Sequence, residues 1–233
     1  MSTIAYRTAL IVGAGAGISA SVARAFTAAG LKVALAARNT EKLAALAAEL
    51  DAPAFALDAA KPEAVAKLFE DAEARLGPLD VAVYNASARA RGPLAELVPA
   101  EVEQALAVSA FGGFLVAREA ARRMIPRGQG AIFFTGASAS VKGYAQSAPF
   151  AMGKFALRGL AQSAARELAP KGVHVAHFVI DGAVRSATRP DPAGRPDSTL
   201  DPDAIAQTYL DVLRQSRSAW TWEVELRPWV ETF

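Results

Sequence analysis

The feature that most constrains this chain is a series of short runs in which consecutive residues, not alternate ones, are hydrophobic. TALIVG (8–13), KVALAA (32–37), APAFAL (52–57), DVAVYN (80–85), GAIFFTG (130–136) and VHVAHFVI (173–180) mostly follow this pattern. A strand with one face in water alternates polar and apolar side chains, whereas a strand covered on both faces has no polar side to show. Between the runs lie ISASVARAFTAAG, NTEKLAALAAEL, KPEAVAKLFEDAEARLG, a long stretch over 100–127 and a helix over 149–170, all with helical periodicity. Asn39-Thr40 ahead of Glu41 and Lys61-Pro62-Glu63 are helix starts, and Gly30, Gly77 and Gly172 are stops. Repeated strand–helix alternation predicts one α/β domain over 1–233: a doubly wound parallel sheet with right-handed crossovers, helices on both faces and three layers (α/β/α).

Two segments stand outside that alternation. The proline-rich stretch 180–202 is too long for a plain connection, so it is either a lid or binding loop for a substrate, at about 182–202, or disordered. The final stretch sets Trp222, Val224 and Leu226 against Glu223, Glu225 and Arg227, the pattern of a half-exposed edge strand ended by Pro228. Trp220, Trp222, Trp229 and Phe233 are expected to cover that strand or a subunit contact.

Composition narrows the function. Hydrophobic residues make up 52% of the 233 residues, ample for a large core, and a net charge of +2 offers no basic surface for nucleic acid. With no cysteine and only His174 and His177, three apart on a strand, thiol chemistry is excluded and a metal centre is not expected. Glu101, Glu103 and the Arg118/Arg122/Arg123 group read as solvated helix faces or intersubunit pairs. The N-terminal apolar run breaks into glycines and feeds a helix carrying Arg24, unlike a signal peptide. No uncharged apolar stretch of membrane-spanning length is evident, so a cytoplasmic protein with a small-molecule substrate is expected, without membrane or nucleic-acid partners.

The first chemical motif is VGAGAGIS, Val12 to Ser19, between the first strand and the first helix. Glycines at 13, 15 and 17, with Ala16 and Ile18, let backbone amides approach a pyrophosphate whose charge a helix N-terminus favours. Ser19 stands where a third glycine would complete the spacing and is expected to strain the motif. The second strand ends Ala36-Ala37-Arg38-Asn39, with no carboxylate where an NAD-selective site binds ribose hydroxyls. Arg38 either pairs with a 2′-phosphate, favouring NADP over NAD, or is a solvated surface arginine. Asp58, followed by Ala59, either accepts from the adenine amino group or caps the helix near Pro62. Asn85-Ala86-Ser87 ends the fourth strand at the sheet's carboxyl edge.

In this order the motifs resemble the short-chain dehydrogenase/reductase family along essentially the whole chain. The glycine turn, Asp58, NAS in place of NAG, a serine after the fifth strand and a lysine on the next helix carry the likeness. The resemblance implies a Rossmann-type fold, a nicotinamide cofactor and a homodimer or homotetramer packed through long helices. It also implies that Gly13, Gly15, Ala16, Gly17, Ile18, Arg38, Asn39, Asp58, Ala59, Asn85, Ala86 and Lys154 surround the cofactor. Ile180-Asp181-Gly182 replaces the family's Pro-Gly, and Gly182 and Val184 would then flank the nicotinamide.

The catalytic positions depart from the family. Its working group is Asn, Ser, Tyr and Lys, with Tyr and Lys spaced YxxxK; here FAMGK keeps Lys154 but has Phe150 in place of the tyrosine. This resembles a subgroup with Phe at that position. The asparagine aligns with Ser109, and the serine with Ser138 if one residue is deleted, or with Ala137 on strict spacing. Phenylalanine has no ionisable proton. Either another group donates it (Tyr144, Ser138, Ser140 or a water), or hydride adds to an activated C=C that needs little protonation, or the cofactor is bound without turnover. The expectation is an NADP(H)-dependent oxidoreductase with an incomplete catalytic group; the alternative is a catalytically silent dinucleotide-binding or sensing protein.

Overall fold

The computed structural model describes residues 5–231; the expected aromatic contribution of Phe233 lies outside the described residues. Six parallel strands form from the six apolar runs: β1 Thr8–Val12, β2 Lys32–Ala37, β3 Ala54–Ala56, β4 Val81–Tyr84, β5 Gly130–Thr135 and β6 Val173–Ile180. A seventh, β7 Glu223–Leu226, completes the order β3-β2-β1-β4-β5-β6-β7, with every neighbouring pair parallel. Every residue of β1, β4, β5 and β6 is buried, which is why their sequences do not alternate. β3 is shorter than expected; Pro53 accepts from the Leu35 amide but has no N–H to return to the ladder.

Helices α1 Ile18–Ala28, α2 Ala44–Leu50 and α7 Pro202–Leu213 cover one face of the sheet. On the other face lie α3 Pro62–Leu76, α5 Gly112–Met124 and α6 Ala148–Leu168, with α4 Pro99–Leu106 leading into α5. The result is a single-domain, three-layer α/β fold. Strand order reverses between β1 and β4, so the chain leaves them in opposite directions and a crevice opens above their carboxyl ends.

By length and composition alone, the helical run Pro99–Arg127 is apolar enough to cross a membrane, a stretch passed over in the sequence reading. Here its face of Leu115, Val116, Ala120 and Met124 is laid on the sheet. A π turn, Ala107–Phe111, interrupts the run. Such a turn takes backbone carbonyls out of the usual ladder, and the Tyr84 hydroxyl donates to that of Val108.

Three surface features carry more than the expectations did. Arg118 and Arg122 lie on an exposed helix face as expected, yet they and the largely covered Arg123 all meet the buried carboxylate of Glu119, and Arg123 also reaches Glu73, 3.0 Å away. On β7, Val224 and Leu226 pack against the α1/α7 side as expected, but Glu223 accepts from Arg158 of α6 at 2.6 and 2.7 Å. The long connection after β6 is tied down rather than loose. Arg185 pairs with Asp191 and Asp201, the Thr199 amide donates to Asp191 at 3.0 Å, and Val184 bridges to Leu200.

Candidate active site

Two cavities open at the carboxyl end of the sheet. The first, about 440 Å³, is walled by the turn after β1, by Arg38, Asn39 and Lys42 after β2, by Asp58 and Ala59 after β3, and by Asn85 and Ala86 after β4. The second, about 360 Å³, has Arg89, Arg91, Ser138, Tyr144, Gln146 and Phe150 in its wall. A larger hollow of about 860 Å³ lies at the amino end of the sheet, among Arg7, Lys32, Asp80 and Arg127, and contains none of the residues selected from sequence.

The glycines of the turn serve different ends. Gly13 has φ +82°, and a Cβ there would strike the Ala86 backbone, so the fold itself requires glycine. A Cβ on Gly15 or Gly17 would meet nothing within 4 Å. At Gly15, where φ is not positive either, packing makes no such demand, which fits a ligand lying against the backbone. Gly17, at φ +87°, precedes α1, and Ile18 is the first residue of that helix.

Ser19 does not strain the turn as expected. It is 2% exposed; its hydroxyl donates to the Gly13 carbonyl at 3.1 Å and accepts from Asn85 Nδ2 at 2.6 Å. The Asn85 amide thus joins the loops after β1 and β4. Asn39 Oδ1 accepts from the Glu41 amide at 2.9 Å, opening the short turn that contains Lys42. Asp58 Oδ1 accepts from Ala60 N at 3.0 Å, while Lys61 occupies the cap position of α3, so Asp58 is not that helix's cap. Lys42 was missed in the sequence, although it stands four residues after Arg38.

In the second cavity Phe150 is 8% exposed, and the Arg89 guanidinium carbon lies 4.1 Å from its ring centroid. Lys154 is buried one turn further along α6; its Nζ donates to the Thr135 carbonyl at 2.6 Å and stands 5.9 Å from the Phe150 centroid. Burial, and then the charge of Arg89, bring the Lys154 ammonium down to about 7. The Ser138 hydroxyl acts on the Asp181 carboxylate, whose Oδ2 lies 3.3 Å from both Lys142 and Arg227. Burial pushes the Asp181 carboxyl up, but Ser138, Lys142 and Arg227 together hold it below its ordinary value. Tyr144 also acts on the Lys142 ammonium, so Tyr144, Lys142, Asp181 and Ser138 lie in one neighbourhood after β5 and β6.

Other sequence-selected groups lie elsewhere. Ser140 is fully buried, accepting from the Ala137 amide at 3.1 Å and meeting His177 Nε2 at 3.3 Å. Ser109, in the asparagine's position, accepts from Ala88 N at 3.0 Å and donates to Ala88 O at 3.2 Å. Gly182 borders the second cavity, whereas Val184 leans on the α1/α7 side of the core. His174 stacks on Trp220 with centroids 4.7 Å apart, and His177 Nδ1 meets Glu223 at 3.0 Å, so the two histidines serve separate contacts. Trp222 lies under Arg158, while Trp229 is 81% exposed. Tyr209 is buried on the opposite face of the sheet, its hydroxyl 2.7 Å from Thr135 Oγ1.

A doubly wound parallel sheet with a glycine turn at its switch point is the framework of a nicotinamide-dinucleotide-dependent oxidoreductase. A family model described as short chain dehydrogenase matches residues 7–191. The chain belongs to the short-chain dehydrogenase family. A short-chain dehydrogenase from Rhodopseudomonas palustris is 38% identical, with a TM-score of 0.83 over 96% of this chain and 99% of that one. A metagenomic short-chain oxidoreductase in complex with NADP is 31% identical, with a TM-score of 0.85 over 97% and 99%. Momilactone A synthase of Oryza sativa subsp. japonica is 35% identical over 207 residues, 85% of this chain and 72% of that protein.

Proposed function

We propose that this protein is an NADP(H)-dependent oxidoreductase of small organic substrates whose catalytic group lacks the family's tyrosine, as in a subgroup with Phe at that position. One observation carries the proposal: the glycine turn, Arg38 and Lys42 border a groove whose β2 end carries Ala37 instead of a carboxylate. Two cations and no acid at that end favour a 2′-phosphate. NADP(H), when bound, supplies or accepts the hydride. Gly13, Gly15, Ala16, Gly17 and Ile18 would bring backbone amides to its pyrophosphate; Asp58, Ala59, Asn85 and Ala86 would border the adenosine side; Lys154 and Gly182 would serve the nicotinamide side. The similar metagenomic enzyme in complex with NADP supports that choice of cofactor.

Phe150 forms an apolar wall and cannot pass a proton. We assign that step to the Tyr144 hydroxyl, which borders the same cavity as Ser138, with the Lys142 ammonium nearby. Ser138 orients the substrate oxygen, and the loop over 182–202 closes the substrate side. The test is a fluorescence titration with NADPH and NADH, followed by turnover assays with carbonyl and enone substrates. Turnover that falls at least tenfold in Tyr144→Phe supports the assignment; failure of both dinucleotides to bind at tens of micromolar overturns it.

A second reading, a silent dinucleotide-binding or sensing protein, is favoured by one observation: the ring of Phe150 is occupied by the Arg89 cation. It predicts NADPH binding without turnover in wild type and in Tyr144→Phe alike. For either function we infer a cytoplasmic homodimer or homotetramer. Phe111, Phe114, Met152 and Phe155, each 44–49% exposed, offer an apolar surface on the long helices through which copies would pack.

A further inference from the structure

We propose that the second cavity recognises an oxyanion on the substrate, a carboxylate or a phosphate, through the guanidinium of Arg89. This rests on taking that cavity as the substrate half of a dinucleotide-dependent site. Arg89 and Arg91 both border the cavity, and among the described residues no acidic side chain does. Arg189, from the loop after β6, also acts on Arg89: burial first, then the charges of Arg91 and Arg189, hold its guanidinium below the ordinary value. The nearby acid, Asp181, is matched by Lys142 and Arg227.

The contact with Phe150 bears on what Arg89 can still do. A guanidinium carries its N–H donors around its rim, not on its face. An aromatic ring 4.1 Å from its central carbon attracts the cation without offering the carboxylate oxygens that would occupy its fork, which stays available for a bidentate partner. The backbone before it is held as well, because the Ser109 hydroxyl bonds both the N–H and the C=O of Ala88. Arg89 and Arg91 beside a cavity of about 360 Å³, with the charge of Arg189 also acting on Arg89, repel one another, and an entering anion relieves that repulsion. Phe150 thereby acquires a positive role: its ring is the platform for the anion-binding arginine, a task that needs no hydroxyl.

The test is calorimetric titration of the full chain with benzoate, phenyl phosphate and neutral benzamide, each with and without saturating NADPH. At least one anion is expected to bind tenfold or more tightly than benzamide. Arg89→Gln should abolish that preference, Arg91→Gln should reduce it about threefold, and Arg89→Lys, which keeps charge but loses the fork, should fall between wild type and Arg89→Gln. Tighter binding of benzoate assigns a carboxylate, and tighter binding of phenyl phosphate assigns a phosphoryl group. Benzamide matching both anions, or a preference that survives Arg89→Gln, overturns the proposal. Failure of NADPH to bind counts against the dinucleotide reading, while the titrations without it still decide the anion site.

Discussion

The Arg89 guanidinium carbon lies over the Phe150 ring, 4.1 Å from its centroid. Both residues border the second cavity, so the ring holds a cation beside it. Lys154 lies behind the same ring, 5.9 Å from its centroid.

Restoring a hydroxyl at this point should restore acid–base capacity. Phe150→Tyr is expected to raise kcat/KM for NADPH-dependent carbonyl reduction about 100-fold, within the usual range for a positioned acid or base. Steady-state assays of both proteins on one carbonyl panel check this; equal rates would show that proton transfer does not limit the reaction at that position.

Cofactor choice should follow the β2 end. Arg38→Ala is expected to weaken NADPH binding at least tenfold, about 1.4 kcal/mol, while changing NADH affinity less than twofold. Lys42→Ala should act in the same direction but less, since a lysine lacks the bidentate fork. Parallel titrations with both dinucleotides measure the difference.

Lys154 should leave a signature in the pH dependence of stability. Its ordinary value is 10.5, and in the fold it is brought to about 7, chiefly by burial. Below pH 7 folded and unfolded chains both hold the proton, and the fold bears the full cost of a buried ammonium. Between about 7 and 10.5 the unfolded chain holds more protons, so stability rises with pH, by up to about 1.4 kcal/mol per pH unit. Urea unfolding at pH 7.5, 8.5 and 9.5 should show this rise in wild type and a flatter profile in Lys154→Met.

The Tyr84 hydroxyl bonds the Val108 carbonyl inside the π turn, and Tyr84 is fully buried. Tyr84→Phe leaves that carbonyl unpaired and should destabilise the fold by about 1–3 kcal/mol. Denaturant titration should show a lower midpoint with an unchanged slope.

The strands were legible because burial on both faces writes itself into consecutive residues, as in ALIV of β1 and VHVAHFVI of β6. The glycine turn was legible for a related reason: Gly13 answers a steric demand that falls on one residue. Pairwise arrangements were not. The arginines around Glu119 read as a solvated helix face and Glu223 as the polar side of an edge strand, because a buried ion pair leaves no mark on the residues around it in sequence.

By itself, then, the sequence determined the parallel α/β architecture, the switch-point crevice and the absence of a phenolic hydroxyl at position 150. Each depends on a residue's own chemistry or its near neighbours. Only the tertiary structure decided that Ser19 locks Asn85 rather than straining the turn, and that Arg89 lies over Phe150. Those partners follow different strands, and only the folded sheet brings them within hydrogen-bonding or cation–π distance.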